Sequence, residues 1–85
     1  MKSFKDLNSY IDAALANARY EEIDGGAKIY AEIPEFVGVW ASGSSREESS
    51  AELRKALEGW IDLQLERNNA LPDINGIRPP AVSFA

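Results

Sequence analysis

The sequence predicts an α+β domain in which a three-stranded antiparallel meander is packed by one amphipathic helix, with an extra helix at the N-terminus. Two segments, 3–19 and 44–67, carry apolar residues at three- and four-residue spacing, which is typical of helices that bury one face. Between them lie short extended pieces, one with alternating polarity and one followed by a pair of glycines. A sheet that is closed on one side by a helix forms a two-layer sandwich.

Residues 3–19 are expected to form the first helix. Ser3 can cap it, because a serine hydroxyl accepts a hydrogen bond from a backbone N–H group left free in the first turn. Seven apolar side chains of this segment share one face: Phe4, Leu7, Tyr10, Ile11, Ala14, Leu15 and Ala18. This face packs either on the domain's own sheet or on another subunit, and we expect Phe4, Leu7 and Ile11 to lie at an oligomer interface.

The first two strands are predicted over 20–24 and 28–33, joined as a hairpin. Gly25 and Gly26 lie between them, and glycine accepts the positive φ angles that tight hairpin turns require. The second strand has Ile29, Ala31 and Ile33 on one face and Lys28, Tyr30 and Glu32 on the other. Pro34 ends the pairing because proline has no N–H group to donate.

The third strand is predicted over 36–41. Alternation of side chains places Phe36 and Trp40 on the same face of this strand. The opposite face carries Val37, Val39 and Ala41. Either helices cover both faces of the sheet, or an aromatic patch of Phe36 and Trp40 stays open, and open aromatic patches are frequent at protein interfaces.

The second helix is predicted from Ser44 to Arg67. Two serine–glutamate pairs have the spacing of a capping box: Ser44 with Glu47, and Ser45 with Glu48. One arc of the helix is apolar and would cover the sheet: Leu53, Ala56, Leu57, Trp60, Ile61 and Leu63. Pro72 stops the chain from continuing as a helix.

The composition limits the chemistry that the chain can carry. It has 85 residues with no cysteine and no histidine, which excludes a thiolate nucleophile, disulfides, and the commonest general base and metal ligand. The net charge is −5, and residues 21–35 account for most of it, with five acidic side chains against Lys28 alone. This acidity disfavours phosphate binding and suits a basic protein partner or a metal ion.

Nothing in the sequence indicates secretion or membrane insertion. No apolar run reaches the ~20 residues needed to span a bilayer. Charged residues interrupt the first turns of the chain, unlike the apolar core of a signal peptide. A cytoplasmic location is therefore expected.

The middle of the chain, residues 20–72, resembles the HicB-like antitoxin family of type II toxin–antitoxin systems. Members tend to show a strand ending in Ile-Pro-Glu, a Gly-Val strand, a Gly-x-Ser turn, a Glu-Glu helix start and a Leu-Pro after the helix. The matching positions are Ile33-Pro34-Glu35, Gly38-Val39, Gly43-x-Ser45, Glu47-Glu48 and Leu71-Pro72. Each piece is short, but five pieces in order at this spacing make the resemblance fairly specific.

The resemblance implies a truncated ribonuclease-H-like fold, β-β-β-α-β, without the catalytic activity of the parent fold. Proteins similar to this one bind and neutralise a small basic mRNA endonuclease, the HicA toxin, and commonly form dimers or tetramers. Many also carry a C-terminal DNA-binding domain, for which the 13 residues after Pro72 are too few. Direct binding of nucleic acid is therefore not expected.

The resemblance also divides the chain into three parts. They are an N-terminal helical extension over 1–19, a HicB-like domain over 20–72 and an extended tail over 73–85. The tail is predicted to be mostly extended or mobile, and the one element it could add is a short edge strand over 81–84.

The partner-binding surface is expected to combine acidic and aromatic side chains. Six residues are predicted to contact the toxin: Glu21, Glu22, Glu32, Glu35, Phe36 and Trp40. No cofactor and no metal site is predicted. Two alternatives stay open: a stand-alone homo-oligomer of the same fold with another regulatory role, and a metal-dependent nuclease in which Glu32 and Glu48 face each other.

Overall fold

The structure, a computed structural model, describes residues 2–81 and has two helices and one sheet. The elements in chain order are α1 (Leu7–Ala16), β1 (Arg19–Ile23), β2 (Lys28–Glu32), β3 (Trp40–Gly43) and α2 (Arg46–Glu66). The three strands are antiparallel in the order β1-β2-β3. The predicted α+β class, with a three-stranded meander and two helices, is confirmed.

Helix α1 begins later than the sequence suggested. Asp6, rather than Ser3, is its N-cap residue, and the Asp6 carboxylate accepts a 2.7 Å hydrogen bond from the backbone N–H of Ser9. This bond holds the pKa of Asp6 below its usual value. Ser3 instead forms a parallel bridge with Arg78, so the segment before the helix is extended.

The β1–β2 hairpin lies where the sequence predicted it. Tyr20 is paired with Ala31, and Ile23 with Lys28, which leaves a four-residue loop over 24–27. Gly25 and Gly26 both have positive φ in this loop, at 65° and 93°. Glycine fits here because it has no Cβ to oppose the left-handed backbone.

The third strand is shorter than predicted. Phe36 therefore lies before the strand, and strand alternation does not set the direction of its side chain. Two successive turns precede it: the N–H of Phe36 donates to Ile33 O and the N–H of Val39 donates to Phe36 O, both at 3.0 Å. Gly38, with φ of 92°, supplies the left-handed residue of the second turn. The chain therefore enters the sheet only at Trp40, and the prediction of a strand from residue 36 is wrong.

Helix α2 docks on the sheet through its first turn and one buried stripe. Ser45 is the N-cap, accepting a 3.1 Å hydrogen bond from the N–H of Glu48, so the second of the two proposed capping serines has this role. The buried stripe repeats every four residues: Ser49, Leu53, Leu57 and Ile61. The Ser49 hydroxyl oxygen lies 2.6 Å from the carbonyl oxygen of Ile29 on β2, which fixes the helix against the sheet.

Helix α1 is part of the same core and is packed against α2. Tyr10 lies at its centre, with the ring of Phe36 at 6.1 Å and the ring of Phe4 at 5.5 Å, both edge-to-face. Trp60, half-buried on α2, completes the cluster with an edge-to-face contact to Phe36 at 5.1 Å. Such aromatic pairs stabilise a fold by roughly 0.5–1.5 kcal/mol each beyond their burial.

This packing corrects the predicted oligomer interface. Ile11 is only 3% exposed and belongs to the core of its own chain, so it is not available to a second subunit. Phe4 and Leu7 are half-buried and packed against that core. Ile11 is unavailable because the apolar face of α1 packs on the core of its own domain.

Residues 73–81 also pack on the core rather than forming a free tail. Ile74 is fully buried, and Asn75 and Gly76 both have positive φ in a tight turn whose ends, Ile74 and Ile77, exchange two backbone hydrogen bonds. Both positive φ angles are those of a type I′ turn, for which Asn-Gly is the favoured sequence. The predicted edge strand over 81–84 lies outside the described residues except for Ala81, which is not in a strand.

Tyr10 also ties α1 to this C-terminal segment. Its hydroxyl donates a 2.5 Å hydrogen bond to the carbonyl oxygen of Pro72. Burial raises the pKa of Tyr10 above its usual value, and the negative charges of Asp73 and Glu35 add to the shift. The folded protein therefore holds the tyrosine proton at a pH where the unfolded chain has lost it.

We expect the wild-type protein to lose stability as the pH rises above about 10. The slope of the free energy of unfolding against pH that is due to Tyr10 is at most about 1.4 kcal/mol per pH unit, because only the unfolded chain releases that proton. Tyr10→Phe should remove this slope, and urea unfolding between pH 8 and 11, followed by circular dichroism, measures it. Tyr30→Phe is the matched control that keeps Tyr10. Equal slopes in wild type and Tyr10→Phe would contradict the assignment.

Candidate partner-binding surface

One face of the sheet is not packed by either helix. Cross-strand pairing places two three-residue rows of side chains on it and, beyond them, the Ile23–Lys28 pair beside the hairpin loop. The rows are Arg19–Glu32–Trp40 and Glu21–Tyr30–Ser42, and we call these six residues the open face. The opposite face carries buried alanines, Ala31 and Ala41, beneath α2. Within each strand, the position of a residue is enough to assign its side chain to one face, since successive side chains point to opposite sides of the sheet.

The open face carries a stacked aromatic pair. The rings of Tyr30 and Trp40 lie 6.0 Å apart with an interplanar angle of 28°. Trp40 is 56% exposed, so a large part of the indole is available to a partner. Tryptophan and tyrosine are enriched among the residues that contribute most to binding at protein interfaces.

Within the described part of the chain, the acidic side chains of the open face have no ion-pair partner. Among residues 2–81, the ion pairs within 4.0 Å join Arg54 to Asp12, Arg54 to Glu58 and Lys55 to Glu52, all on the helices. Neither Glu21 nor Glu32 is among them. The carboxylates beside the aromatic pair are therefore exposed and available to a cationic group.

A small concavity lies where the open face meets the loop before β3. Its volume is about 160 Å³. Tyr30, Glu32, Pro34, Val37 and Trp40 line it. Val37 stands at 90% exposure, which is high for an apolar side chain. The space is smaller than the 300–1,000 Å³ typical of pockets for drug-sized ligands, so it suits a side chain better than a small molecule.

The sequence model of the UPF0150-like family matches residues 9–72, most of the chain. The chain belongs to the UPF0150-like family. The crystal structure of TTHA0281 from Thermus thermophilus is similar, with 37% sequence identity, a TM-score of 0.79, and coverage of 92% of this chain and 93% of that one. No curated protein has a sequence that matches this chain. The UPF0150-like family is associated with HicB-like antitoxins, so the chain fits a protein of the toxin–antitoxin type.

In this UPF0150-like chain, three of the six predicted partner-binding residues share the open face. Glu21, Glu32 and Trp40 lie together there. Glu22 is exposed on β1, but alternation directs it to the side of the sheet that α2 covers. Phe36 is 1% exposed, so the predicted surface patch of Phe36 with Trp40 is wrong, because the turns before β3 direct the Phe36 ring into the core.

Glu35 has a structural contact instead of an open position. One of its carboxylate oxygens accepts a 2.9 Å hydrogen bond from the Asn17 amide at the end of α1, and the other is buried without a partner. The same Asn17 amide donates to Asn75 at 3.0 Å. Glu35 therefore joins the loop before β3 to α1 and, through Asn17, to the C-terminal turn.

Two residues of the surface were missed by the sequence prediction. Tyr30 could have been found, since it alternates with Lys28 and Glu32 on the polar side of β2. Val37 could not, because its exposure depends on the turn at Gly38 that ends the alternation.

A second, wider groove of about 500 Å³ lies between α1, β1 and α2. Its lining includes Leu15, Tyr20, Arg46 and Arg54. The Arg46 guanidinium lies 4.2 Å from the centre of the Tyr20 ring, and Arg54 is paired with Asp12 at 3.1 Å. Both cations of this groove therefore already contact groups of the same chain.

The arrangement of carboxylates does not support the nuclease alternative. Glu32 lies on the open face, whereas Glu48 is in the first turn of α2 on the other side of the sheet, where it accepts a 2.8 Å hydrogen bond from Ser44. The predicted facing pair is therefore wrong. Within the described part of the chain, no three acidic side chains are close enough to hold a metal ion. No helix among residues 2–81 is long and apolar enough to cross a bilayer.

Proposed function

We propose that this protein is a HicB-like antitoxin that binds and neutralises a small basic mRNA endonuclease of the HicA type by protein–protein contact. It acts in the cytoplasm as a binding protein without catalysis. One observation carries the proposal: in a member of the UPF0150-like family, the open face presents carboxylates that form no ion pair among the described residues, beside a stacked aromatic pair whose Trp40 is exposed. This combination suits a cationic protein surface.

The charge distribution supports a basic partner over nucleic acid. The chain carries 14 acidic and 9 basic side chains, and Glu21 and Glu32 are exposed on the sheet. The net charge of −5 on the chain opposes binding of a phosphate backbone, whereas a basic protein would be attracted and its association accelerated. Self-association into dimers or tetramers is also part of the proposal, with Phe4 and Leu7 as the two predicted interface residues that keep some exposure.

The test begins with the gene that is adjacent to the one encoding this chain. Expression of a small basic protein from that gene should arrest growth, and co-expression of this chain should restore it. The two proteins should then co-elute in size-exclusion chromatography. If the neighbouring protein is not toxic, or if it is toxic and neither binds this chain nor is neutralised by it, the proposed function is wrong.

Charge reversal tests which surface is used. Glu21→Lys combined with Glu32→Lys should abolish the rescue of growth, because two positive charges would then meet a basic partner. Asp62→Lys combined with Glu66→Lys makes the same change in net charge on exposed positions of α2 and should keep the rescue. Equal loss of rescue in both double variants would show that overall charge, rather than the open face, matters.

A further inference from the structure

We infer that the concavity beside β3 accepts a single arginine side chain of the basic partner, with the guanidinium held between the Trp40 ring and the Glu32 carboxylate. The inference rests on the proposed function, because it presumes a cationic protein partner. It adds the identity of the group that is bound and the two residues that recognise it.

The size of the concavity selects one side chain. A volume of about 160 Å³ is well below the 300–1,000 Å³ of pockets that hold drug-sized ligands. A helix or strand of a partner could lie across the open face, but only one projecting side chain could enter the space.

The residues that line the concavity complement a cationic side chain with an apolar stem. Glu32 and Trp40 are direct cross-strand partners, so their side chains stand side by side on the open face. A guanidinium can stack on an indole and donate N–H groups to a carboxylate at the same time. Val37 and Pro34 line the rim and can contact the methylene groups of the arginine stem.

Other occupants fit the same walls less well. An anionic side chain would be repelled by Glu32, and an apolar one would remove this carboxylate from water without a partner. Lysine would supply the charge but not the planar fork that stacks and donates together. Arginine is therefore the preferred occupant.

None of the cations among residues 2–81 forms an ion pair with Glu32 at this position. Arg19 is the other cross-strand neighbour of Glu32, on β1, yet it forms no ion pair with Glu32 within 4.0 Å. Arg46 lies in the other groove, 4.2 Å from the Tyr20 ring. That contact shows the same guanidinium-on-aromatic geometry within this molecule.

A fluorescence titration tests the inference on a chain with one tryptophan. In a Trp60→Phe background, Trp40 is the sole tryptophan reporter, because the chain has two tryptophans. Addition of the basic protein encoded by the adjacent gene should change the Trp40 emission. Trp40→Ala and Glu32→Gln, measured by calorimetry in the otherwise wild-type chain, should each weaken binding at least tenfold. The double variant should weaken binding by less than the product of the two single-variant factors, because both residues contact the same guanidinium.

Glu66→Gln is the matched control, because it removes an equal charge from an exposed position of α2, outside the open face. We expect it to weaken binding less than threefold at 150 mM salt, where exposed charges are largely screened beyond about 8 Å. If the basic protein binds and Glu32→Gln weakens binding no more than Glu66→Gln does, the arginine site is wrong while the proposed function stands.

A second probe separates failure of the site from failure of the proposed function. If the basic protein does not bind at all, the proposed function is wrong, and the site is decided by a ten-residue peptide of alternating arginine and glycine. This peptide should change Trp40 emission with at least fivefold tighter apparent binding to the Trp60→Phe chain than to the same chain with Glu32→Gln. Equal binding to both chains would overturn the inference.

Discussion

Phe36→Ala is expected to lower the free energy of unfolding by about 3–5 kcal/mol, the range for truncating a buried phenylalanine. Phe36 is almost fully buried and contacts the rings of Tyr10 and Trp60 edge-to-face. Domains have total stabilities of roughly 5–15 kcal/mol, so this variant would lose a large part of its stability. Urea unfolding followed by circular dichroism measures the loss.

Val37→Ala, one residue further along the chain, is the matched control. Val37 is exposed, so its truncation should change stability by no more than about 0.5 kcal/mol. Phe36→Ala and Val37→Ala together distinguish the turns seen before β3 from the strand predicted over 36–41. If residues 36–41 formed the strand that alternation predicts, Val37 would face inward and its truncation would cost more than that of Phe36.

Gly43→Ala is expected to destabilise the protein by about 1–3 kcal/mol, as overpacking does in a closed core. A Cβ at Gly43 would lie 2.9 Å from the backbone nitrogen of Ser49 and 2.9 Å from Cγ of Glu48. The glutamate side chain can move, but the Ser49 backbone belongs to the first turn of α2. The helix would have to shift away from β3, which would stretch the bond between Ser49 and Ile29.

Gly59→Ala provides a control with the opposite sign. Gly59 lies inside α2, and a Cβ there would meet no atom within 4 Å. Alanine should raise the free energy of unfolding by about 0.5–1 kcal/mol, because glycine in a helix costs backbone entropy. Thermal unfolding of both variants measures the contrast, and a Gly43→Ala protein as stable as wild type would show that α2 can move freely on the sheet.

The elements with strong local signals could be predicted from the sequence. The Gly25-Gly26 hairpin and the long apolar stripe of α2 depend on backbone freedom and periodicity, which are properties of neighbouring residues. The residues at which helices and strands begin and end were harder to predict. Ser3 has the right chemistry for a cap, but it forms an isolated bridge with Arg78, and the N-cap of α1 is Asp6.

The candidate site could be predicted only in part, for the same reason. Glu32 and Trp40 could be assigned to the surface from composition and alternation. The inward direction of Phe36 could not, because two turns that begin at Ile33 override the alternating pattern. The contact of Glu35 with Asn17 joins residues far apart in sequence, and no local pattern predicts such a pair.

The contacts of Tyr10 with Pro72 and of Phe4 with Arg78 make closure of the core depend on long-range contacts. Both join residues far apart in the chain, 62 positions apart for Tyr10 and Pro72, and contacts of high sequence separation slow folding because a long loop must close. During translation, α1 leaves the ribosome without the segment that covers it. Its apolar face can be fully buried only after residues 71–80 have also emerged, because Leu71 and Ile74 belong to the same core.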